Sequence, residues 1–216
     1  MRAERAARTR AAILAAAGTL FPADGYAGTT MRAVARAAGV SVPTVEQAFG
    51  TKASLLKAAI DVAIAGDDEP VAVLDRPWAG AARATGDARE LLRLTAGVLA
   101  AAQARSAGLM LALFEATAGG DELYALRRQM VAQREITAAW LVDRLAERSA
   151  LRPRLRRAEA VDTVWALIDP ALFDRLTRHR GWTVARYERW IADTLAAALL
   201  APQPAAPSRP TRKKAP

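Results

Sequence analysis

Residues 39–55, GVSVPTVEQAFGTKASL, hold a helix with no room to run beyond 41–49. Gly39 and Gly50 close it on either side, and Ser41 and Thr51 stand where N-caps belong. Pro43 in the first turn removes a donor that would lack an intrahelical partner. Residues 30–38 predict a second short helix just upstream. On the first helix Val34 and Ala38 face inward, Val40 plugs the turn, and Val45 and Ala48 face inward on the second. Ala35 is small where the helices would cross, and Gly39 suits a left-handed turn. The pair reads as a helix-turn-helix. Val42, Pro43, Thr44 and Gln47 are left on the outward face, near the helix N-terminus that enters a major groove. A plain helical hairpin within a core has similar local features. The basic flanks and the place near the N-terminus tip the balance towards DNA.

Charge supports that direction. The net charge of +9 is concentrated at the two ends. Residues 1–52 carry Arg2, Arg5, Arg8, Arg10, Arg32, Arg36 and Lys52 against Glu4, Asp24 and Glu46. Residues 201–216 add Arg209, Arg212, Lys213 and Lys214, while the long middle is nearly neutral. Such a distribution suits a polyanion-binding end and a basic tail. The absence of cysteine excludes disulfides, thiolate nucleophiles and Cys-based zinc sites.

Ala and Leu fill the apolar positions and no strand alternation is present, so the fold class is all-α. Helices are expected at 4–22, 30–38, 41–49, 51–66, 86–104, 106–118, 121–149, 157–168, 170–178 and 183–200, with loops at 66–70 and 75–80. The basic and apolar start resembles a secretory signal, but Glu4 interrupts it, and Ile13, Leu14, Ala17, Leu20 and Phe21 recur at helical spacing. It reads as a supporting helix. No uninterrupted apolar run reaches the roughly 18 residues of a membrane span, and a cytoplasmic protein without a membrane partner is expected. The organisation read here is a DNA-binding domain at 1–52, a helical ligand-binding and dimerisation domain at 53–201, and a disordered basic tail at 202–216, too rich in Pro to fold.

The stretch 13–56 is similar to the DNA-binding domain of the tetracycline-repressor (TetR) family of bacterial transcriptional regulators. The resemblance is carried by Phe21…Gly25-Tyr26, Thr29-Thr30, Ala35…Ala38-Gly39-Val40-Ser41, and Phe49-Gly50-Thr51-Lys52 followed by Leu55-Leu56. It implies a homodimeric repressor whose N-terminal three helices bind double-stranded operator DNA. It also implies C-terminal helices that bind a small molecule and the second subunit. By position, Thr30 would donate to one phosphate and Lys52 would pair with another. Gln47 suits adenine, and Val42 and Pro43 suit thymine methyls. Glu46 departs from the family, which usually has a phosphate-contacting tyrosine there. A carboxylate in that place repels phosphate, accepts from a cytosine amino group, pairs with Arg36, or is simply a tolerated surface substitution. It also leaves open a second reading, a helical ligand-binding or interaction protein with a degenerate DNA-binding end.

An enzyme is not expected. His179 is the only histidine, no Ser or carboxylate pattern completes a triad, and GTKAS (50–54) lacks the earlier glycine of a phosphate-binding loop. Asp67, Asp68 and Glu69 read as a solvated acidic loop, and no cofactor or metal is implied. For the ligand, a lipophilic small molecule, the apolar stretch 106–120 is the expected centre. Met110 and Phe114 lie one turn apart, Trp140 would oppose them, and Arg105 and Glu115 are the nearest polar groups. Gly108 and Gly119–Gly120 would break the helix there, although Met and aromatic residues at this spacing also simply fill cores. Val161, Val164, Trp165 and Ile168, with Trp190, Ile191, Leu195 and Leu199, are the candidates for either a two-fold interface or an internal core.

Overall fold

The computed structural model describes residues 1–69, 71–117 and 119–202. Most of the expected tail at 202–216 therefore lies outside the described residues. Among the described residues the chain forms ten α-helices and no strand. They are α1 (Arg2–Gly28), α2 (Met31–Ala37), α3 (Val42–Phe49), α4 (Lys52–Ala65), α5 (Pro77–Ala84), α6 (Ala88–Phe114), α7 (Gly120–Glu147), α8 (Arg157–Leu167), α9 (Pro170–Asp174) and α10 (Val184–Leu199).

Side-chain caps start many of these helices, as the sequence leads one to expect. Thr30 accepts from the Ala33 N–H, Ser41 from Thr44, Thr51 from Ser54, Asp87 from Glu90 and Thr183 from Arg186. Gly66 ends α4 in the left-handed region at φ 96°, its N–H returning to the Val62 carbonyl at 2.7 Å.

Four sequence expectations need correction. The helices expected at 86–104 and 106–118 are one helix, α6, and Gly108 is no break. A Cβ at Gly108 would stand 2.8 Å from Pro22 Cβ, so the glycine allows α1 and α6 to approach closely. The expected loop at 75–80 is instead largely α5, with Pro77 at its first position. The first helix does not stop at 22: it carries Pro22 inside and turns only at Gly25, φ 68°. Finally, the segment expected as a helix at 170–178 continues α9 as a π-type turn at Arg175–His179.

Two cores share α6 and α7. The first joins Ile13, Phe21, Val34, Val45, Leu55 and Ile60 to Leu109 and Leu113 of α6 and Leu123 of α7, welding the helix-turn-helix to the rest. The second joins Leu91, Leu92, Leu141 and Leu145 to Val164, Tyr187, Ile191 and Leu195. Burying each such Leu or Ile contributes about 1.5–3 kcal/mol. By length and composition α6 could cross a membrane, but α1, α4, α9 and α10 pack around it, which is the position of a central core helix.

The candidate two-fold surface is mostly internal. Val161, Val164, Ile168, Ile191, Leu195 and Leu199 are buried within the chain's own second core. Trp190 packs edge-on against Trp182, and Trp165 lies under Arg134.

Candidate nucleic-acid interface and ligand cleft

α2 and α3 form the helix-turn-helix around Gly39, φ 68°, with the Val40 N–H closing on the Ala35 carbonyl at 3.0 Å. Val34, Ala35, Val45 and Phe49 are buried beneath it. Ala48, expected inside, is exposed. It lines a groove with Arg5, Ala6, Thr9 and Arg10 of α1 and with Thr44 and Gln47 of α3. Arg5 and Arg10 count towards the basic end in the sequence, but nothing in the spacing tells that α1 lies along α3 or that Ala6 and Thr9 join them there. Pro43, Glu46 and Gln47 are exposed. Thr44 is tied to the cap, its hydroxyl 2.7 Å from that of Ser41. Val42 is half-buried against the first core. The exposed Thr30 uses its hydroxyl oxygen as an acceptor, which leaves its O–H able to donate outward.

Lys52 is placed differently from a simple phosphate ligand. Its Nζ donates to the carbonyls of Tyr26 (2.7 Å) and Thr29 (3.0 Å) and lies 4.2 Å from the Tyr26 ring centroid. Burial draws its pKa down. Glu122 of α7 accepts from Thr51 (2.5 Å) and Ser54 (3.1 Å), fixing the start of α4. Burial first, then the Glu122 charge, raises the Tyr26 phenol pKa.

A cleft of about 570 Å³ opens between α4, residues 67–69 and 71–74, α6 and α7. Its walls are mainly apolar, including Val62, Leu99, Met110, Met130 and Ile168; Gln103 and Ser106 are buried polar residues of the lining, Arg134 and Thr137 are half-buried, and Lys57, Asp61 and Asp67 add charge. This volume is in the range of sites for small molecules. Of the five ligand candidates, only Met110 lines it. Phe114, 37% exposed, occupies the last turn of α6, and the exposed Glu115 caps that end. Arg105 donates to the carbonyls of Ala63 (2.7 Å) and Ile64 (3.1 Å) at the end of α4. Trp140 packs edge-on with Trp78 at 5.5 Å. Trp140 lies ten residues beyond Met130 on α7, about 15 Å further along at 1.5 Å per residue, so it cannot oppose Met110.

The acidic loop is engaged by arginines. Asp67 accepts from Arg76 at 2.6 and 2.8 Å, and Asp68 from Arg10 at 2.6 Å. The Arg76 hydrogen bonds hold the Asp67 carboxyl down at about 2. Arg10 also lies 4.8 Å from the centroid of the Phe49 ring, and so touches both the cleft wall and the last residue of α3.

Residues 13–59 match the family model described as "Bacterial regulatory proteins, tetR family". Among curated protein sequences none matches the chain. Solved structures resemble it over nearly its whole length. The transcriptional regulator FadR from Bacillus subtilis, in complex with stearoyl-CoA, is 15% identical with a TM-score of 0.68, over 87% of this chain and 97% of that one. NalD, the secondary repressor of the MexAB-OprM multidrug efflux pump in Pseudomonas aeruginosa, is 23% identical with a TM-score of 0.64, over 91% and 98%. A structure from Rhodococcus sp. assigned to the TetR family is 18% identical with a TM-score of 0.65, over 89% and 99%. With this match at its N-terminus and this fold over the remainder, the chain carries at residues 13–59 a DNA-binding domain of the type described for the TetR family of bacterial regulatory proteins.

Proposed function

We propose that this DNA-binding regulator is a ligand-responsive repressor that binds a palindromic operator as a homodimer. The observation that carries the reading is the exposed face of α3, with Pro43 and Gln47 outward over a buried support of Val45 and Phe49. Gln47 reads an adenine edge, Thr44 and Val42 add contacts at the helix start, and Thr30 donates to phosphate. Lys52 clamps the turn from α1 to α2 and offers its remaining N–H to phosphate. Residues 1–52 form the DNA-binding domain and 53–201 the ligand-binding and dimerisation domain.

A lipophilic small molecule in the cleft is supported by its apolar walls, and by the stearoyl-CoA seen with FadR. A ligand shifts DNA affinity only as far as it binds the two conformers differently. The route favoured here is Asp68 to Arg10 to Phe49, from the cleft wall to the end of the recognition helix. Dimerisation falls to the outer faces of α8 and α10, where Ala158, Asp162 and Ala166 accompany Ala185, Arg189, Asp193 and Ala197, all exposed. Glu46, exposed and without an ion-pair partner among the described residues, favours the second reading, a ligand-binding protein whose DNA-binding end has decayed. Selection from a pool of random duplexes by the full chain separates the two. Enrichment of one near-palindromic site, bound by a pair of chains in sedimentation, is expected; enrichment of no sequence contradicts the repressor reading.

A further inference from the structure

We propose that the ligand of the cleft carries a hydroxyl group on an apolar body, seated at the inner end against Gln103 and Arg134. This rests on the reading of the cleft as a ligand site. Leu99, Gln103, Ser106 and Met110 follow one face of α6 at helical spacing, and all line the cleft. Gln103 is only 6% exposed, and its Nε2 donates to the Ile168 carbonyl at 2.7 Å. That bond orients the amide; the buried Tyr187 hydroxyl lies near the same side chain but outside hydrogen-bond geometry with Oε1, which is buried with no partner among the described residues. Across from it, Arg134 of α7 gives one N–H to Asp169 and lays its guanidinium 3.9 Å from the Trp165 ring centroid. The Arg134 Nε is likewise buried and unpartnered.

Ile168 and Asp169 are neighbours in the chain, so an unmatched acceptor and an unmatched donor are held by one short segment. Burying either without a partner is costly. A ligand carboxylate would satisfy Arg134 but set an anion against Gln103 Oε1, and an ammonium would do the reverse. A hydroxyl both donates and accepts, so it suits either atom without setting like against like. Charge points the same way, because Asp169 already offsets the charge of Arg134. The remaining wall, with Val62, Ile64, Leu99, Met110, Met130 and Ile168, accepts an apolar body.

Calorimetric titration of the full chain with 1-decanol, its methyl ether, decanoate and decylamine tests this. The alcohol should bind about tenfold or more tighter than the ether, which cannot donate. In Gln103→Met the two should come within about threefold of one another, because the acceptor is gone. Leu99→Trp, which fills the cleft, should abolish binding of the alcohol. An ether as tight as the alcohol, or decanoate or decylamine tighter than it, overturns the hydroxyl assignment while the cleft reading stands. Alcohol binding that survives Leu99→Trp places the ligand elsewhere and overturns it too. If none of the four probes binds, both readings fall. Should Gln103→Met fail to fold, the comparison of the four probes on the unaltered chain still decides.

Discussion

Lys52 spends two of its three N–H donors on the carbonyls of Tyr26 and Thr29, and one is left to reach a phosphate. Lys52→Ala should therefore weaken binding to every duplex alike and also lower Tm, whereas Gln47→Ala should cost about 1–3 kcal/mol only at one base position. Anisotropy titrations on base-substituted duplexes, with a melt of each variant, check both. Asp67 has a folded pKa of about 2, below its ordinary 3.8, so its stabilisation is fully present above about pH 4 and is lost as pH falls through about 2. The Tm deficit of Asp67→Asn should accordingly stay constant from about pH 7 to 4 and narrow below that. A deficit that widens on acidification would contradict the pairing with Arg76. Pro43 and Gln47 could be assigned from sequence because the inward residues of so short a helix leave one outward face. Gln103 and Arg134 could not, since their partners lie 65 and 35 residues further along the chain. A polar pair, Gln103 and Ser106, interrupting an apolar stripe of α6 was the available signal.

α3 was readable as an element because glycines and caps bound it on both sides. α6 was not, because a serine and a glycine near its middle look like a break until α1 is placed against them. The close approach at Gly108 makes a specific prediction. Gly108→Ala gains up to about 1 kcal/mol of helix propensity, but forcing a methyl against the Pro22 ring costs about 1–3 kcal/mol. The second effect should win, because Pro22 is stiff and its Cβ lies 2.8 Å from the added atom. Urea denaturation should show a net loss of stability; a more stable variant would mean that α1 and α6 are less closely joined than described. Residues 75–80 read as a loop for a separate reason: Pro and Gly in DRPWAG mark a helix start here, with Pro77 at the first position.

At the scale of the molecule, the apolar faces of α8 and α10 serve the chain's own core, so the face left for a second chain is made of small and charged residues. Ala197→Arg, on an exposed position of α10, should give monomers in sedimentation at micromolar concentration with Tm little changed. Dimers that persist would move the interface elsewhere. Helix content and the place of the DNA-binding module were plain from periodicity and caps, while the cleft needed α4, α6, α7 and residues 67–69 and 71–74 to be brought together. Sequence-specific DNA binding is best measured as the affinity of the full chain for the duplex upstream of its own coding sequence, beside a shuffled duplex over a range of salt. Binding to the upstream duplex about a thousandfold tighter or more is expected, with both affinities falling as salt rises. Equal affinity for the two duplexes at every salt concentration would contradict it.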